Sequence, residues 1–370
     1  MKIKKYRVFL GVLLALAILA GACAGVLAWL SGRLQSQEVA ESWSGESGQR
    51  FAQVSVYFPM TQLGTVDQVR SFRSSLPEKL REVSLESTDS SQMWVDAYST
   101  EAKLEAETSY GSASAAVYAV GGDYFRFHPL ELVSGSYFSD DDLMQDLVVL
   151  DEDMAWRLYG GMDLTGKTVD ISGRQFTISG VVRREPDFAS ERAYPGGGRL
   201  YMSYAAYAQL LGGETEPGIR TYEIVLADPI SGYAEKLVSD AFGSGATQGM
   251  DPGGEESPEE SAPDGLGAVI LQNTGRFSLE RIFSVLGDFG VRSMNTQGVV
   301  YPYWENAARL IEDYMAVALL LMLLFGALPA LFLLVVAIEL IRRGWKKLKA
   351  AVPVWVENRR KRRYEARRGA

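Results

Sequence analysis

The chain has 370 residues, 47% of them hydrophobic, and a formal net charge of −9. Its single cysteine, Cys23, and single histidine, His128, exclude a disulfide framework, a thiolate metal cluster, a multi-histidine metal site and a histidine-based triad. Charge is unevenly placed: residues 31–313 hold 21 Lys and Arg against 43 Asp and Glu, a net −22, which sets this region against nucleic acid and anionic lipid as partners.

Residues 1–7, with Lys2, Lys4, Lys5 and Arg7, read as a cytoplasmic N-terminus. Val8 to Leu30 follows without a charge. A hydrocarbon core needs about 20 helical residues, so 8–30 is predicted as the first transmembrane helix. Leu19-Ala20-Gly21-Ala22-Cys23 loosely fits a bacterial lipobox in which Cys23 would be acylated. The apolar run continues past the cysteine, which favours a retained anchor. Residues 31–50, polar from Gln35 to Gln49, read as a linker.

The region after the linker alternates strand and helix. Val54, Val56 and Phe58 have the period of a strand. Thr65 and Gln68 then form a capping-box pattern, which opens a helix with its apolar face at Val66, Val69, Phe72, Leu76, Leu80 and Val83. Pro77 is expected to break that helix in two. Strands at Met93–Tyr98 and Ser114–Val120 complete β-α-β-β, the first half of a ferredoxin-like unit.

A strand-rich block follows from about Gly121. It contains a strand at Val148–Leu150, a helix at Asp151–Tyr159, and a hairpin from Val169 to Val181 turning at Ser172-Gly173. The first pattern resumes with a strand at Tyr222–Leu226 and helices at Ser231–Phe242 and around Leu279–Leu286. Residues 243–267, dominated by Gly, Ser, Pro, Asp and Glu, read as a disordered insert. Residues 301–313 form a juxtamembrane segment, in which Tyr301, Tyr303 and Trp304 are expected to sit in an interfacial belt.

Tyr314 to Ile338 is the second uncharged run, and 314–341 is predicted as the second transmembrane helix, with Gly326 and Pro329 as a kink site. Residues 342–370 form a basic tail that includes Arg342, Arg343, Lys346 and the run Arg359–Arg363. Two spans put both ends on one side, and the basic flanks make that side the cytoplasm. The predicted location is a bacterial cytoplasmic membrane, with the central domain outside and the tail against anionic inner-leaflet lipid.

Gly122-Asp123-Tyr124-Phe125 and Leu132-Val133-Ser134-Gly135-Ser136-Tyr137-Phe138 resemble the periplasmic core domain of MacB-type ABC permeases. So do Val148-Val149-Leu150 with Ala155, Leu158, Tyr159 and Gly160, and Leu164-Thr165-Gly166-Lys167 with Gly180-Val181-Val182. The resemblance covers roughly residues 1–341 and is strongest over 118–184. It implies an α+β extracytoplasmic domain: a ferredoxin-like porter part (51–118 and 220–300) interrupted by a β-rich sabre part (119–219), flanked by two transmembrane α-helices. Family permeases carry three helices after this domain and a cytoplasmic loop that engages an ATPase. This chain resembles an FtsX-like permease relative lacking the last two transmembrane helices.

Several motifs carry a chemical pattern. Gly161 to Thr168 satisfies the phosphate-loop pattern, but that chemistry needs a strand before the loop and a helix after it, and Thr168 to Val182 alternates as strands. It reads as a turn. His128, beside Phe125, Phe127 and Leu130, reads as an ordinary partly buried or surface residue. Asp140, Asp141, Asp142, Asp146, Asp151 and Asp153 lack the glycine and terminal glutamate of a calcium loop and read as a solvated acidic loop with helix-capping positions. Glu339 lies one turn from Arg342 and Arg343, which suits pairing at the membrane border. Tyr194, Tyr201, Tyr204 and Tyr207 offer a contact surface or, more simply, core packing.

No nucleophile, acid pair, metal set or cofactor site emerges, and the chain is read as a non-enzyme. The resemblance implies a membrane subunit of a MacB/FtsX-like ABC-type export or mechanotransmission complex, whose outer domain engages cargo or an envelope partner. Its implied partners are membrane lipid and an ABC ATPase or full-length permease subunit, in a homo- or hetero-oligomer. The alternative is a membrane-anchored extracytoplasmic binding or scaffold protein without energy coupling.

Overall fold

The computed structural model describes residues 2–45, 49–83, 93–139, 142–194, 196–213, 216–243, 267–288, 295–296 and 298–368. The expected insert lies outside them apart from its end residues, as do Asp140 and Asp141. The chain divides into two compact units, residues 31–313 and a second formed by 1–30 with 314–370.

The larger unit is built on a ten-stranded sheet. Its strands are β1 (Phe51–Tyr57), β2 (Trp94–Thr108), β3 (Gly111–Gly122), β4 (Leu132–Gly135), β5 (Leu147–Asp151), β6 (Thr168–Ile171), β7 (Arg174–Val182), β8 (Gly198–Ser203), β9 (Thr221–Ala227) and β10 (Val269–Gln272). The order is β10-β1-β9-β2-β3-β8-β5-β7-β4, and β6 pairs with β2 and β7. The first four positions, all joined antiparallel, are those of a ferredoxin-like unit cut open between β2 and β9. The β-rich part enters at that cut and continues the same sheet.

Strand β2 makes this continuity. Trp94 to Ser99 pair with β9, whereas Ala106 and Glu107 pair with β6. Its second half alternates Glu101, Lys103, Glu105 and Glu107 with Ala102, Leu104 and Ala106, so Lys103, Glu105 and Glu107 face outward while Ala106 is fully buried. The charged residues break the apolar pattern on β2, and small residues break it on β3, so both strands extend further than that pattern suggests. At the end of β3, Gly122 has φ +67°, and a Cβ there would lie 2.5 Å from Asp96 O. The same holds at Gly135, with φ +74° and a Cβ 2.0 Å from Ser179 O. Both motif glycines are therefore required by close backbone approach.

Helix α3 (Val66–Glu82) carries the capping box expected of Thr65 and Gln68, with both reciprocal bonds present. It runs unbroken through Pro77, contrary to expectation. An interior proline costs about 3 kcal/mol. The helix buries Val69, Phe72, Leu76 and Leu80 on the sheet, worth about 1.5–3 kcal/mol each, and Arg73 grips Asp96 at 2.7 and 2.9 Å. Packing on both sides of the proline outweighs the lost bond. The other helices of this unit are α2 (Val39–Ser44), α4 (Tyr124–Phe127), α5 (Glu152–Tyr159), α6 (Phe188–Ala193), α7 (Tyr204–Leu210), α8 (Tyr233–Phe242) and α9 (Leu279–Gly287). A short two-stranded ribbon, β11 (Asn295–Thr296) with β12 (Val299–Val300), precedes the last helix, α10 (Tyr303–Arg368).

Two expectations fail here. The expected linker contains a 3-10 turn at Gln35–Gln37 followed by α2, and Gln37, Val39 and Ala40 are buried. Gln37 is inside because its amide oxygen accepts from Asn273 and Arg276, while Gln35, Glu38, Glu41 and Ser42 stay exposed. Likewise Tyr301, Tyr303 and Trp304 are not a belt: they are 4%, 3% and 2% exposed within this unit, because the first turns of α10 pack into it.

In the smaller unit, helix α1 (Lys2–Ser31) lies against the later part of α10, with Phe9 and Phe332 edge to face at 6.0 Å. A Cβ on Gly326 would sit 3.7 Å from Ala20 Cβ, so small residues let the helices approach. Most large side chains point away from this contact, including Val8, Leu14, Ile18, Leu324 and Leu333. Both helices are long and apolar enough to cross a membrane. Glu339 pairs with Arg343 at 2.9 Å, one helical turn on, as its spacing suggested.

Candidate functional site

Arg276 lies beyond β10 in Asn273-Thr274-Gly275-Arg276, a turn closed by the Arg276 amide donating to Asn273 O at 3.0 Å. The turn directs a 7%-exposed guanidinium toward the first three turns of α10. There Glu305 and Glu312 lie two helical turns apart on one face. Arg276 donates from Nη1 to Glu305 Oε2 at 2.6 Å and from Nη2 to Glu305 Oε1 at 2.8 Å. Its Nε reaches Glu312 Oε1 at 2.6 Å. Arg309 adds a bond from Nε to Glu305 Oε1 at 2.8 Å, and Tyr57 Oη donates to Glu305 Oε2 at 3.2 Å.

The cluster is balanced, two arginines against two glutamates. Burial alone would lower the Arg276 pKa, but Glu305 and Glu312 hold it well above its usual value. Burial likewise pushes the Glu305 carboxyl up, and Arg276 and Arg309 outweigh it and hold it below the usual range. Arg276 and Glu305 are thus kept charged.

From Arg276 the bonding continues through the domain. Its Nη1 lies 3.3 Å from Gln37 Oε1, which also accepts from Asn273 Nδ2 at 2.9 Å. Asn273 Oδ1 is 2.9 Å from Ser55 Oγ, which is 3.3 Å from Glu223 Oε1. Glu223 Oε2 is 2.6 Å from His128 Nε2. Every member of this chain is buried. Gln37 follows the first apolar helix in sequence, and Glu305 and Glu312 precede the second, so one guanidinium ties both membrane-leading segments to the same sheet.

A second buried arginine contacts the first residue of α10. Arg199, on β8, packs against the rings of Tyr194 at 3.6 Å and Tyr303 at 4.0 Å, which themselves meet edge to face with centroids 5.0 Å apart. Glu185 accepts from Tyr303 Oη at 2.7 Å and from Tyr194 Oη, and lies 3.7 Å from Arg199. Burial works against the guanidinium charge, but the surrounding Tyr201, Tyr303 and Tyr118 and Glu185 raise its pKa. The β-rich part therefore grips the first residue of α10, and the ferredoxin-like part grips the turns that follow.

The residues singled out by sequence fall as follows. His128 is neither a partly buried nor a surface residue: it is 2% exposed and ends the buried chain on Glu223. Tyr201 and Tyr204 are core, and Tyr194 packs against the Arg199 guanidinium. Asp151 caps α5 by accepting from Met154 N at 2.7 Å and pairs with Arg184 at 2.6 Å, and Asp153 lies 3.4 Å from the same guanidinium. Among the described residues no group of three potential metal ligands forms. In the Gly161–Thr168 segment, Thr168 opens a strand, so no helix N-terminus follows Gly166. Sequence reasoning missed Arg276, Gln37 and Arg199. The visible signal was Glu305, Arg309 and Glu312, charged positions on one face of an amphipathic stretch leading into an apolar run.

The family model described as MacB-like periplasmic core domain matches residues 9–235. A macrolide export ATP-binding/permease protein MacB from Aggregatibacter actinomycetemcomitans is 31% identical over 134 residues, covering 35% of this chain and 20% of that protein. The corresponding protein of Chromobacterium violaceum is 29% identical over 138 residues, covering 36% of this chain and 20% of that protein. The matched region thus spans about a fifth of those relatives' length. Among solved structures, the periplasmic region of MacB from Actinobacillus actinomycetemcomitans aligns with a TM-score of 0.38 at 18% identity, over 65% of this chain and 94% of that one. The extracellular domain of the noncanonic ABC-type transporter YknZ from Gram-positive bacteria aligns with a TM-score of 0.33 at 14% identity, over 52% and 91%. Because the family model takes in more than half of the chain, the protein belongs to the MacB-like periplasmic core domain family of ABC-type transporter permeases.

Proposed function

We propose that this chain is a non-enzymatic membrane subunit of an ABC-type export or mechanotransmission complex, powered by a separate ATPase. The observation that carries the reading is the Arg276 clamp. It fixes Gln37, Glu305 and Glu312 to one buried network, so a shift of either membrane-leading segment strains the sheet of the outer domain. The helix that holds both glutamates continues without interruption into the second apolar run. In this reading ATP hydrolysis moves the spans, and the domain changes its posture toward cargo or an envelope partner. The basic flanks Lys2–Arg7 and Arg342–Arg363 orient both ends to the cytoplasm, where the ATPase acts.

Affinity purification of the full chain from its native membrane, with chemical crosslinking and mass spectrometry, tests the partnership. Recovery of an ABC ATPase or full-length permease supports it. Absence of both after crosslinking, with the chain itself recovered intact, leaves a membrane-anchored binding or scaffold protein.

A further inference from the structure

A cavity of about 420 Å³ opens in the unit of residues 31–313. Its walls are Gly32–Ser36, which follow α1 directly in the chain, together with Pro129–Glu131 and Arg183–Asp187. His128 and Trp304 also line it, with their rings 4.3 Å apart. Both rings bring a buried nitrogen without a hydrogen-bond partner, His128 Nδ1 and Trp304 Nε1. Glu223 engages His128 Nε2, which places the neutral ring's proton there and leaves Nδ1 as an acceptor. Trp304 Nε1 can only donate.

The charged lining is unlike the rest of the domain. Arg33, Arg183 and Arg184 face Glu131, Glu185 and Asp187, a balanced set within a region of net −22. Asp187 caps α6, and Arg184 is committed to Asp151. Arg183 spends its Nε and Nη1 on Glu152 and Glu131, at 3.1 and 2.6 Å, and a guanidinium has five N–H donors. Glu131 is 67% exposed. A wall that offers both signs suits a ligand that carries both.

We propose that the cavity binds a zwitterionic phosphate–ammonium group, the chemistry of an ethanolamine phospholipid head group. The phosphate faces Arg33 and Arg183, where charge-assisted bonds to a guanidinium are strongest. The ammonium faces Glu131 and Glu185 and can donate to His128 Nδ1, and an ester oxygen can accept from Trp304 Nε1.

The test uses the full chain purified in dodecyl maltoside and titrated calorimetrically with three probes. These are dihexanoyl-phosphatidylethanolamine, dihexanoyl-phosphatidylglycerol and chain-free glycerophosphoethanolamine. The expected result is saturable one-to-one binding of the ethanolamine lipid, at least tenfold tighter than the glycerol lipid. Arg33→Gln with Arg183→Gln should weaken it at least tenfold. Both arginines are exposed, and an unchanged melting temperature verifies that the variant is folded. If the chain-free probe binds as tightly as the lipid, the proposal stands with a soluble ligand as source. If only the lipid binds, the membrane is the source. No saturable binding of either ethanolamine probe, equal binding of the glycerol lipid, or indifference to the two substitutions overturns it.

Discussion

Arg276 and Glu305 form a two-pronged ion pair, 2.6 and 2.8 Å long, in which neither side chain is more than 8% exposed. Such pairs seldom stabilise a fold relative to apolar packing of the same volume, but breaking one side of them is costly. Arg276→Met leaves Glu305 and Glu312 buried without their main partner and should destabilise the domain by about 3–5 kcal/mol. The triple variant Arg276→Met, Glu305→Leu, Glu312→Leu should recover most of that loss. Denaturant unfolding of both proteins in detergent measures the two values. A triple variant as unstable as the single one would show that the cluster is needed for folding itself.

Much of the fold was legible because apolar periodicity decides it. The α3 stripe, the β6–β7 hairpin and the two apolar helices follow from spacing alone. Ser172 and Gly173 both adopt positive φ, 54° and 82°, as a two-residue hairpin turn requires. The site was not legible, because its partners are far apart in the chain: Gln37, Asn273, Arg276 and Glu305 meet only after β10 has joined β1. A lone arginine after a glycine carries no pattern. The aromatic run before the second apolar helix was misread because composition suits an interfacial belt and a domain core equally well, and only packing distinguishes them.

Acid should weaken the clamp. The Glu305 carboxyl is held below its ordinary value of 4.5, since Arg276 and Arg309 outweigh the upward push of burial. A carboxyl more acidic in the folded than in the unfolded chain stabilises fully above the unfolded value, and that contribution is lost as pH falls through the folded value. The melting temperature should therefore drop below about pH 4.5. The triple variant should show a shallower drop, and equal slopes would remove Glu305 as the source.

The Arg199 contact depends on a planar guanidinium packed against both Tyr194 and Tyr303. Arg199→Lys keeps the charge but loses the stacking, so it should destabilise the domain by about 1–2 kcal/mol. Tyr303→Leu should cost a similar amount, and combining it with Arg199→Lys should give less than the sum. A double-mutant cycle by denaturant unfolding measures the coupling, and strict additivity would mean the two residues act separately.

Membrane orientation is open to direct labelling, because Cys23 is the only cysteine. In a Cys23→Ala background, Leu143→Cys, at a 98%-exposed position, should react with a membrane-impermeant maleimide in intact spheroplasts. Lys346→Cys should react only after permeabilisation. The reverse pattern would invert the topology.

Coupling between the membrane-leading segments and the outer domain is tested most directly by hydrogen exchange. The peptides to follow are residues 31–45 and 303–313, in native membrane vesicles with and without ATP and vanadate. Both should change protection together on nucleotide trapping, and the Arg276→Met variant should lose that joint response while the apolar helices stay inserted. Identical exchange in both nucleotide states, with the ATPase demonstrably trapped, would contradict that coupling.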